Sequence, residues 1–142
     1  MSKLNIKQAF LSHLLSNLPT GITANDIAFE NKKFKPKNKD AWLAVYMPAN
    51  DKDPLGKTSS DFDDNRGFYQ ISVFIPINSN DFDNTQLQII DELEQAFSYN
   101  TELVYNGQKV YITESQTTAG TESEAWFQRD LTLNYFSLSE RG

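Results

Sequence analysis

The sequence contains no cysteine, which excludes a disulfide framework and a thiolate metal site and suits a reducing compartment. It has no run close to the ~20 apolar residues that a membrane helix requires. Met1 begins a polar, helix-like stretch without the basic start and long apolar core of a secretory signal. We therefore expect a protein that is made in the cytoplasm and has no membrane partner.

Histidine is nearly absent as well. His13 is the only one, so no second imidazole can share a metal or complete a base and nucleophile pair, and we interpret it as an ordinary residue of a helix surface. No nucleophile elbow, phosphate loop or dinucleotide fingerprint occurs in the sequence. An EF-hand loop that began at Asp61 would place Arg66 where glycine is required and Ser72 where a glutamate ligand is required. We expect no enzymatic activity, no metal site and no cofactor.

Positive charge is scarce, since 13 Lys and Arg face 19 Asp and Glu and the net charge is −6. Nucleic-acid binding needs clustered cations that displace counterions, so the composition opposes nucleic-acid recognition. Five lysines nevertheless fall close together, at Lys32, Lys33, Lys35, Lys37 and Lys39. Such a cluster is typical of a solvated loop or a protected edge strand, and a nucleic-acid contact is the less favoured alternative.

What the sequence does contain is enough apolar material for one folded domain. The chain has 142 residues, of which 39% are hydrophobic, and we predict a single domain over 1–142. The helical period predicts a helix over 3–18. Its predicted apolar face consists of Leu4, Leu11, Leu14, Leu15 and Leu18, flanked by Ile6 and Phe10.

Strands are predicted in the next third of the chain. Residues 41–47 are almost all apolar, and residues 67–76 alternate in the manner of a strand; residues 27–30 are a weaker candidate. Between the two clearer strands, residues 49–66 are rich in Asp, Asn, Lys, Ser, Pro and Gly and predict a long polar loop. The alternation in 67–76 points one set of side chains to the core: Tyr69, Ile71, Val73 and Ile75.

The last part of the chain predicts a helix and three strands. Asp81 or Asp83 can cap a helix whose apolar stripe is Ile89, Ile90, Leu93, Ala96 and Phe97. Asn106 and Gly107 predict a two-residue hairpin turn, and a polar linker is predicted over 115–123. Residues 124–138 predict a long strand, in which Arg129 interrupts the apolar face and is interpreted as marking a strand end that reaches solvent or a neighbour.

These elements, in the order α-β-β-β-α-β-β-β, predict an α+β fold. Hairpin-like connections favour an antiparallel or mixed sheet of about five to six strands, with two helices packed on one face. Several aromatic residues fall in polar contexts or on the face opposite the predicted core: Phe62, Phe68, Phe82, Trp126 and Trp42. Either they form an interface, or both sheet faces are covered within one copy.

The chain resembles the tail terminators and related minor tail proteins of long-tailed phages. The resemblance covers 3–135 and lies in the opening helix, in Ala41-Trp42-Leu43-Ala44-Val45 followed by Met47-Pro48-Ala49, in Leu55-Gly56, in Arg66-Gly67-Phe68-Tyr69-Gln70-Ile71-Ser72-Val73-Phe74 with Pro76, and in a helix ending at Phe97. One departure is the turn over 77–81, which lacks the glycine common in the family.

The resemblance implies a structural virion protein of the phage tail, assembled in the bacterial host cytoplasm. It implies a ring, typically hexameric, that caps the tail tube, stops its polymerisation and offers a surface to the head completion or connector protein. Alternatives are another neck, connector or minor tail protein, or a small acidic adaptor that inhibits a host protein. A ring needs a heterologous contact, in which the lysine cluster can meet the acidic residues of 51–64. The candidate interface residues are Lys32, Lys33, Lys35, Asp61, Phe62, Asp63, Asp64, Arg66, Phe82, Trp126 and Arg129.

Overall fold

A computed structural model describes residues 2–36, 38–47, 51–54, 62–77, 81–123 and 125–140. The helices are α1 (Ser2–Ser16) and α2 (Asn84–Ala96), with a short 3-10 helix at Ala24–Asp26. The strands are β1 (Ile27–Ala28), β2 (Trp42–Tyr46), β3 (Asp51–Pro54), β4 (Phe62–Pro76), β5 (Glu102–Tyr105), β6 (Gln108–Thr117), β7 (Thr121–Ser123) and β8 (Trp126–Glu140). Within these ranges, neither helix has the length and apolarity needed to cross a membrane.

All of these strands belong to one mixed sheet. Its main order is β1-β2-β4-β8-β6-β5, with β3 paired to β4 and β7 paired to β8. The β1–β2 pair is parallel, and the other pairs are antiparallel. The predicted α+β class is confirmed. The described part of the sheet has eight strands instead of five to six, because the short strands β3 and β7 pair with the ends of longer ones.

Strands β4 and β8 form the centre of the sheet, and their alternation separates its two faces. On β4 the side chains predicted to face the core are buried: Tyr69, Ile71, Val73 and Ile75. On β8 the predicted core residues Leu131, Leu133 and Tyr135 are buried, whereas Phe127, predicted to lie on the same face, is only half-buried. Both helices cover this face. The ring of Phe10 in α1 stacks on Tyr69 with 4.1 Å between centroids, and the amide of Gln86 in α2 donates to the Val73 carbonyl at 2.9 Å.

Helix α1 buries only part of the predicted face. Leu14 is buried as predicted and Leu11 is partly buried against the core, whereas Leu4 and Leu15 are 55% and 44% exposed. The predicted flanking residues Ile6 and Phe10 are buried in their place, together with Ala9. Apolar residues occupy more than half of the helix circumference at about 100° per residue, so the leucine pattern alone does not select a face. Contacts with Tyr69 select the buried face, because the Tyr69 hydroxyl donates to the Ile6 carbonyl at 2.8 Å.

The single histidine joins the two helices. Nε2 of His13 lies 2.7 Å from the carbonyl oxygen of Ala96, to which it donates. Its ring also meets Phe97 edge-on, with 4.9 Å between centroids. The interpretation of His13 as an ordinary surface residue is therefore wrong, because it is half-buried between α1 and the end of α2.

The second helix and the hairpin agree with the prediction, apart from the cap. The apolar stripe of α2 is buried at Ile89, Ile90, Leu93 and Phe97. Asn106 and Gly107 have φ angles of 52° and 81°, as a two-residue turn of this type requires. Asp83 occupies the N-cap position but makes no side-chain capping bond, because its carboxylate binds Arg129.

Two predicted loops contain strands. In the predicted loop over 49–66, residues 51–54 of β3 pair with residues 63–66 of β4; residues 55–61 lie outside the described part of the chain. In the predicted linker over 115–123, β6 continues to Thr117 and β7 begins at Thr121. Both segments are polar, and their strand conformation comes from hydrogen bonding to the ends of β4 and β8, not from a hydrophobic pattern of their own.

Candidate assembly surface

A charged side chain on the helix-covered face of the sheet fixes the start of α2. Arg129 donates from Nε to Gln86 Oε1 at 3.0 Å and from Nη2 to Asp83 Oδ2 at 2.7 Å. Gln86 is fully buried, and its amide group also donates to the carbonyl of Phe127 at 3.1 Å. Arg129 lies inside β8, so the predicted strand end is wrong. Its polar partners, Asp83 and Gln86, lie at the start of α2, and we call these contacts the Arg129 clamp.

Next to the clamp, Phe82 projects into solvent. Its side chain is 82% exposed, although it directly precedes a residue held by the clamp. Its φ of 60° lies in the left-handed region, which costs a residue with a side chain about 1–2 kcal/mol. The ring borders a hollow of about 250 Å³ that is lined by Ile75, Pro76, Ile77 and Phe127. Phe82 was predicted as a candidate interface residue from its polar neighbours. Its exposed ring is an apolar protrusion, which we call the Phe82 knob.

A small apolar groove of about 50 Å³ lies between α1 and the β1–β2 edge. Its walls are formed by Leu11, Phe29, Val45 and Met47. Lys7 of α1 and Glu30 line it as well, and Glu30 accepts a hydrogen bond from the Met47 backbone at 2.7 Å. Outside the groove, α1 continues with the exposed Leu4 and Leu15, so apolar surface extends along the helix.

The face of the sheet without helices carries an aromatic cluster at one end. Trp42 stacks on Phe74 with 4.0 Å between centroids and an angle of 7°. Phe34 and Trp126 pack against Trp42 at 5.0 Å and 5.8 Å. These rings are half-buried by one another, and each such pair contributes about 0.5–1.5 kcal/mol beyond area burial. The structure therefore supports the second alternative for Trp42 and Trp126, in which these aromatic side chains are covered within one copy.

Beside this cluster the helix-free face is polar. Asp130 Oδ1 accepts hydrogen bonds from Ser72 at 2.6 Å and from Gln128 at 2.8 Å. Burial, together with the negative charges of Asp130 and Glu30, raises the pKa of Tyr46. Among the described residues no three His, Asp or Glu side chains converge as metal ligands. The polar network belongs to the sheet surface and holds its side chains in place.

The lysine cluster runs beside the β1–β2 edge. Lys32, Lys33 and Lys35 are exposed in the segment that connects these strands, while Lys39 forms an ion pair with Asp26 at 2.8 Å. Burial would raise the pKa of Asp26, but hydrogen bonds from Lys39 and from Thr23 outweigh burial and lower it. Three predicted interface lysines are thus displayed together, whereas Lys39 stabilises the connection; Lys37 lies outside the described residues.

The predicted acidic side of the interface is described only in part. Asp61 lies outside the described residues, and Phe62, Asp63 and Asp64 are described in backbone alone, as the start of β4. Arg66, in the same strand, is exposed and holds its guanidinium over the Phe136 ring at 5.1 Å. The pairing of this segment with the lysine cluster stays a prediction.

Sequence reasoning missed two exposed apolar groups. One is the outer face of α1 with Leu4 and Leu15. The sequence feature that could have indicated this exposed face is that α1 contains no acidic residue. The other lies around the edge strand β5, where Tyr99, Val104 and Tyr105 are exposed by 79%, 52% and 39%. Exposed apolar side chains that lie close together are typical of protein interfaces, so both groups extend the candidate surface.

The mixed sheet is covered by two helices on one face, and its surface carries an exposed aromatic ring, an apolar groove and a cluster of exposed lysines. Such features are typical of surfaces that bind other proteins. Comparison with known proteins gives the family. The phage tail terminator protein family model matches residues 5–135, and the chain belongs to this family. It is therefore a structural protein of the phage tail and associates with tail components.

Several solved structures share the fold, and one of them aligns with nearly the whole chain. Its TM-score is 0.70, its sequence is 24% identical, and the alignment covers 96% of each chain. At this identity the likeness shows the fold alone. No curated protein sequence matches the chain.

Proposed function

We propose that the chain forms a ring, hexameric in its completed form, at the end of the finished tail tube. The ring stops further addition of tube subunits and offers its outer surface to the head completion or connector protein. Assembly takes place in the cytoplasm of the bacterial host. The observation that carries this proposal is membership of the tail terminator family over residues 5–135.

The surface of the chain is consistent with a ring. A closed ring uses a heterologous contact, in which one patch of each copy meets a different patch on the next. The exposed lysines of the β1–β2 connection and the acidic stretch over 51–64 are such a pair by sign of charge. We therefore place Lys32, Lys33 and Lys35 in the contact between copies, where opposite charge guides docking and register.

Tail length tests the proposal. In a phage that lacks this chain, tube growth has no stop, and electron microscopy should show overlong tubes without attached heads. Supplying the chain should restore both a uniform length and head attachment. Tubes of normal length in its absence would contradict the termination role, and overlong tubes that still carry heads would contradict the joining role.

A further inference from the structure

Strand β5 forms one edge of the sheet, and its outer side lacks the usual protection of an edge. It ends the strand order next to β6, so no other described strand pairs with that side. Proteins commonly protect such edges by very short strands, by lysine or by proline. β1 and β7 have only two and three residues, and β3 contains Lys52 and Pro54. β5 has neither lysine nor proline and displays Val104 and Tyr105, which are 52% and 39% exposed.

The hairpin turn determines which backbone groups of β5 point away from the sheet. Tyr105 is paired with Gln108 across the two-residue turn, and the pair that closes such a turn is hydrogen-bonded. Bonded and non-bonded positions alternate along an antiparallel strand, so Leu103 also bonds to β6. The N–H and C=O groups of Glu102 and Val104 therefore point outward, where they form a template for a further strand.

An antiparallel β5 from a second copy fits this edge. If the two Leu103 residues face each other across a two-fold axis, Glu102 of each copy stands opposite Val104 of the other. These two pairs consist of outward-pointing positions, so they can exchange four hydrogen bonds. On the core face, Leu103 and its partner Val110 are buried in each copy. The same register therefore places the two apolar rows end to end.

The charges beside this edge are complementary in that register. Lys109 is paired with Val104, so it lies in one row with Glu102 of the second copy, on the helix-free face of the sheet. The row spans two strand spacings, about 10 Å, which two long side chains can bridge over Val104. Both Glu102 and Lys109 are exposed, and neither side chain has an ion pair or hydrogen bond with another described residue. The two-fold axis produces this pairing twice.

We infer that two copies of the free chain pair through β5 and join their sheets into one. The contact is isologous, because the same edge serves both copies. It therefore differs from the heterologous contact proposed for the ring, and it gives the chain a dimeric form before it meets a tail tube. The inference does not depend on the proposed ring, and the two are tested separately.

Light scattering of the purified chain without tail tubes measures this contact. At low salt we expect a mass of twice the 16.2 kDa of one chain. Val104→Glu places a carboxylate directly opposite Glu102 of the second copy and should weaken the dimer by about tenfold or more, since like charges directly opposite are unfavourable. Leu15→Glu adds the same charge at an apolar site of similar exposure, 44% against 52%, and should leave the dimer unchanged. Thermal unfolding checks that both variants keep the fold.

Exchange of the two charges tests the register. Glu102→Lys alone and Lys109→Glu alone should each weaken the dimer, because each substitution places like charges in both rows. An equal mixture of the two variants should restore the dimer, since every row then holds one positive and one negative side chain. The two substitutions combined in one chain should restore it as well. Lys33→Glu together with Lys35→Glu, which tests the proposed ring contact, should leave this dimer intact.

Several results would overturn the inference. One is a monomer at every concentration, or an oligomer whose mass Val104→Glu leaves unchanged. Another is a mixture of Glu102→Lys and Lys109→Glu chains that associates as weakly as either variant alone. Loss of the dimer on Lys33→Glu with Lys35→Glu would assign self-association to the lysine cluster instead of β5. None of the results on β5 decides the proposed ring, which is judged by tube length and by labelling of tube ends.

Discussion

Two stacked tyrosines in the core provide a matched test of the packing. Tyr69 and Tyr135 are both buried, and their rings stack with 4.6 Å between centroids. The Tyr69 hydroxyl donates to the Ile6 carbonyl at 2.8 Å. The Tyr135 hydroxyl is buried without a hydrogen-bond partner among the described residues. Replacing each by phenylalanine keeps the ring and removes only the hydroxyl.

The two substitutions should have opposite effects on the free energy of unfolding. Tyr69→Phe removes a buried hydrogen bond and leaves the Ile6 carbonyl without that donor, so we expect a loss of about 1–2 kcal/mol. Tyr135→Phe removes a hydroxyl that is desolvated without compensation, so we expect no loss, or a gain of up to about 1 kcal/mol. The difference between the variants is therefore about 1–3 kcal/mol, and the stacking contribution cancels.

Urea unfolding followed by tyrosine and tryptophan fluorescence measures this difference. For a domain of about this size, each kcal/mol also moves Tm by roughly 2–4 °C. Tyr99→Phe, at a site that is 79% exposed, is the control and should change stability by less than about 0.5 kcal/mol. Equal losses for Tyr69→Phe and Tyr135→Phe would refute the assignment of the hydrogen bond that joins α1 to the sheet.

Three further predictions follow from the contacts described above. Arg129→Ala should lower the free energy of unfolding by about 2–4 kcal/mol, since it leaves the buried Gln86 oxygen without its donor. A double-mutant cycle with Asp83→Ala should give a coupling free energy of about 1 kcal/mol. If the effects of the two substitutions on stability were simply additive, the Arg129 clamp would be contradicted. Burial raises the pKa of Tyr135 to about 12 and that of Tyr69 as well. Their contribution to stability should therefore be complete below pH 10 and decline between pH 10 and about 12, and a flat urea midpoint across this window would be inconsistent with buried neutral phenols. Reversing charge with Lys33→Glu and Lys35→Glu together should reduce ring formation at low salt while leaving Tm unchanged, and an unaltered oligomer mass would remove these lysines from the contact.

The sequence predicts those parts of the fold whose signals are local. Strict alternation over 67–76 identifies the buried side of β4, because adjacent strand residues point to opposite faces. The Asn106-Gly107 turn was predicted because its signal is also local: its positive φ angles depend on these two adjacent residues alone. Phe82 was identified as a candidate by its polar neighbours, and the structure places it in solvent.

Features that depend on distant partners were not predictable in this way. β3 and β7 are polar segments that become strands by pairing with the ends of β4 and β8. The face of α1 is chosen by Tyr69, which is 63 residues away from Ile6 in the sequence. Arg129 looked like a break in an apolar strand because its partner Asp83 is 46 residues away. The groove combines α1 with the β1–β2 edge, and so exists only in the folded chain.

The position of the chain on assembled tails tests the account most directly. Copies labelled with gold through an introduced cysteine at Ser98, an exposed site near β5 and thus at the other edge of the sheet from the lysine cluster, can be located on tail tubes by electron microscopy. The account predicts label in a ring at one end of each tube, with a bound mass near six times the 16.2 kDa of one chain. Label along the tube wall, or single copies that leave the tube ends bare, would contradict it.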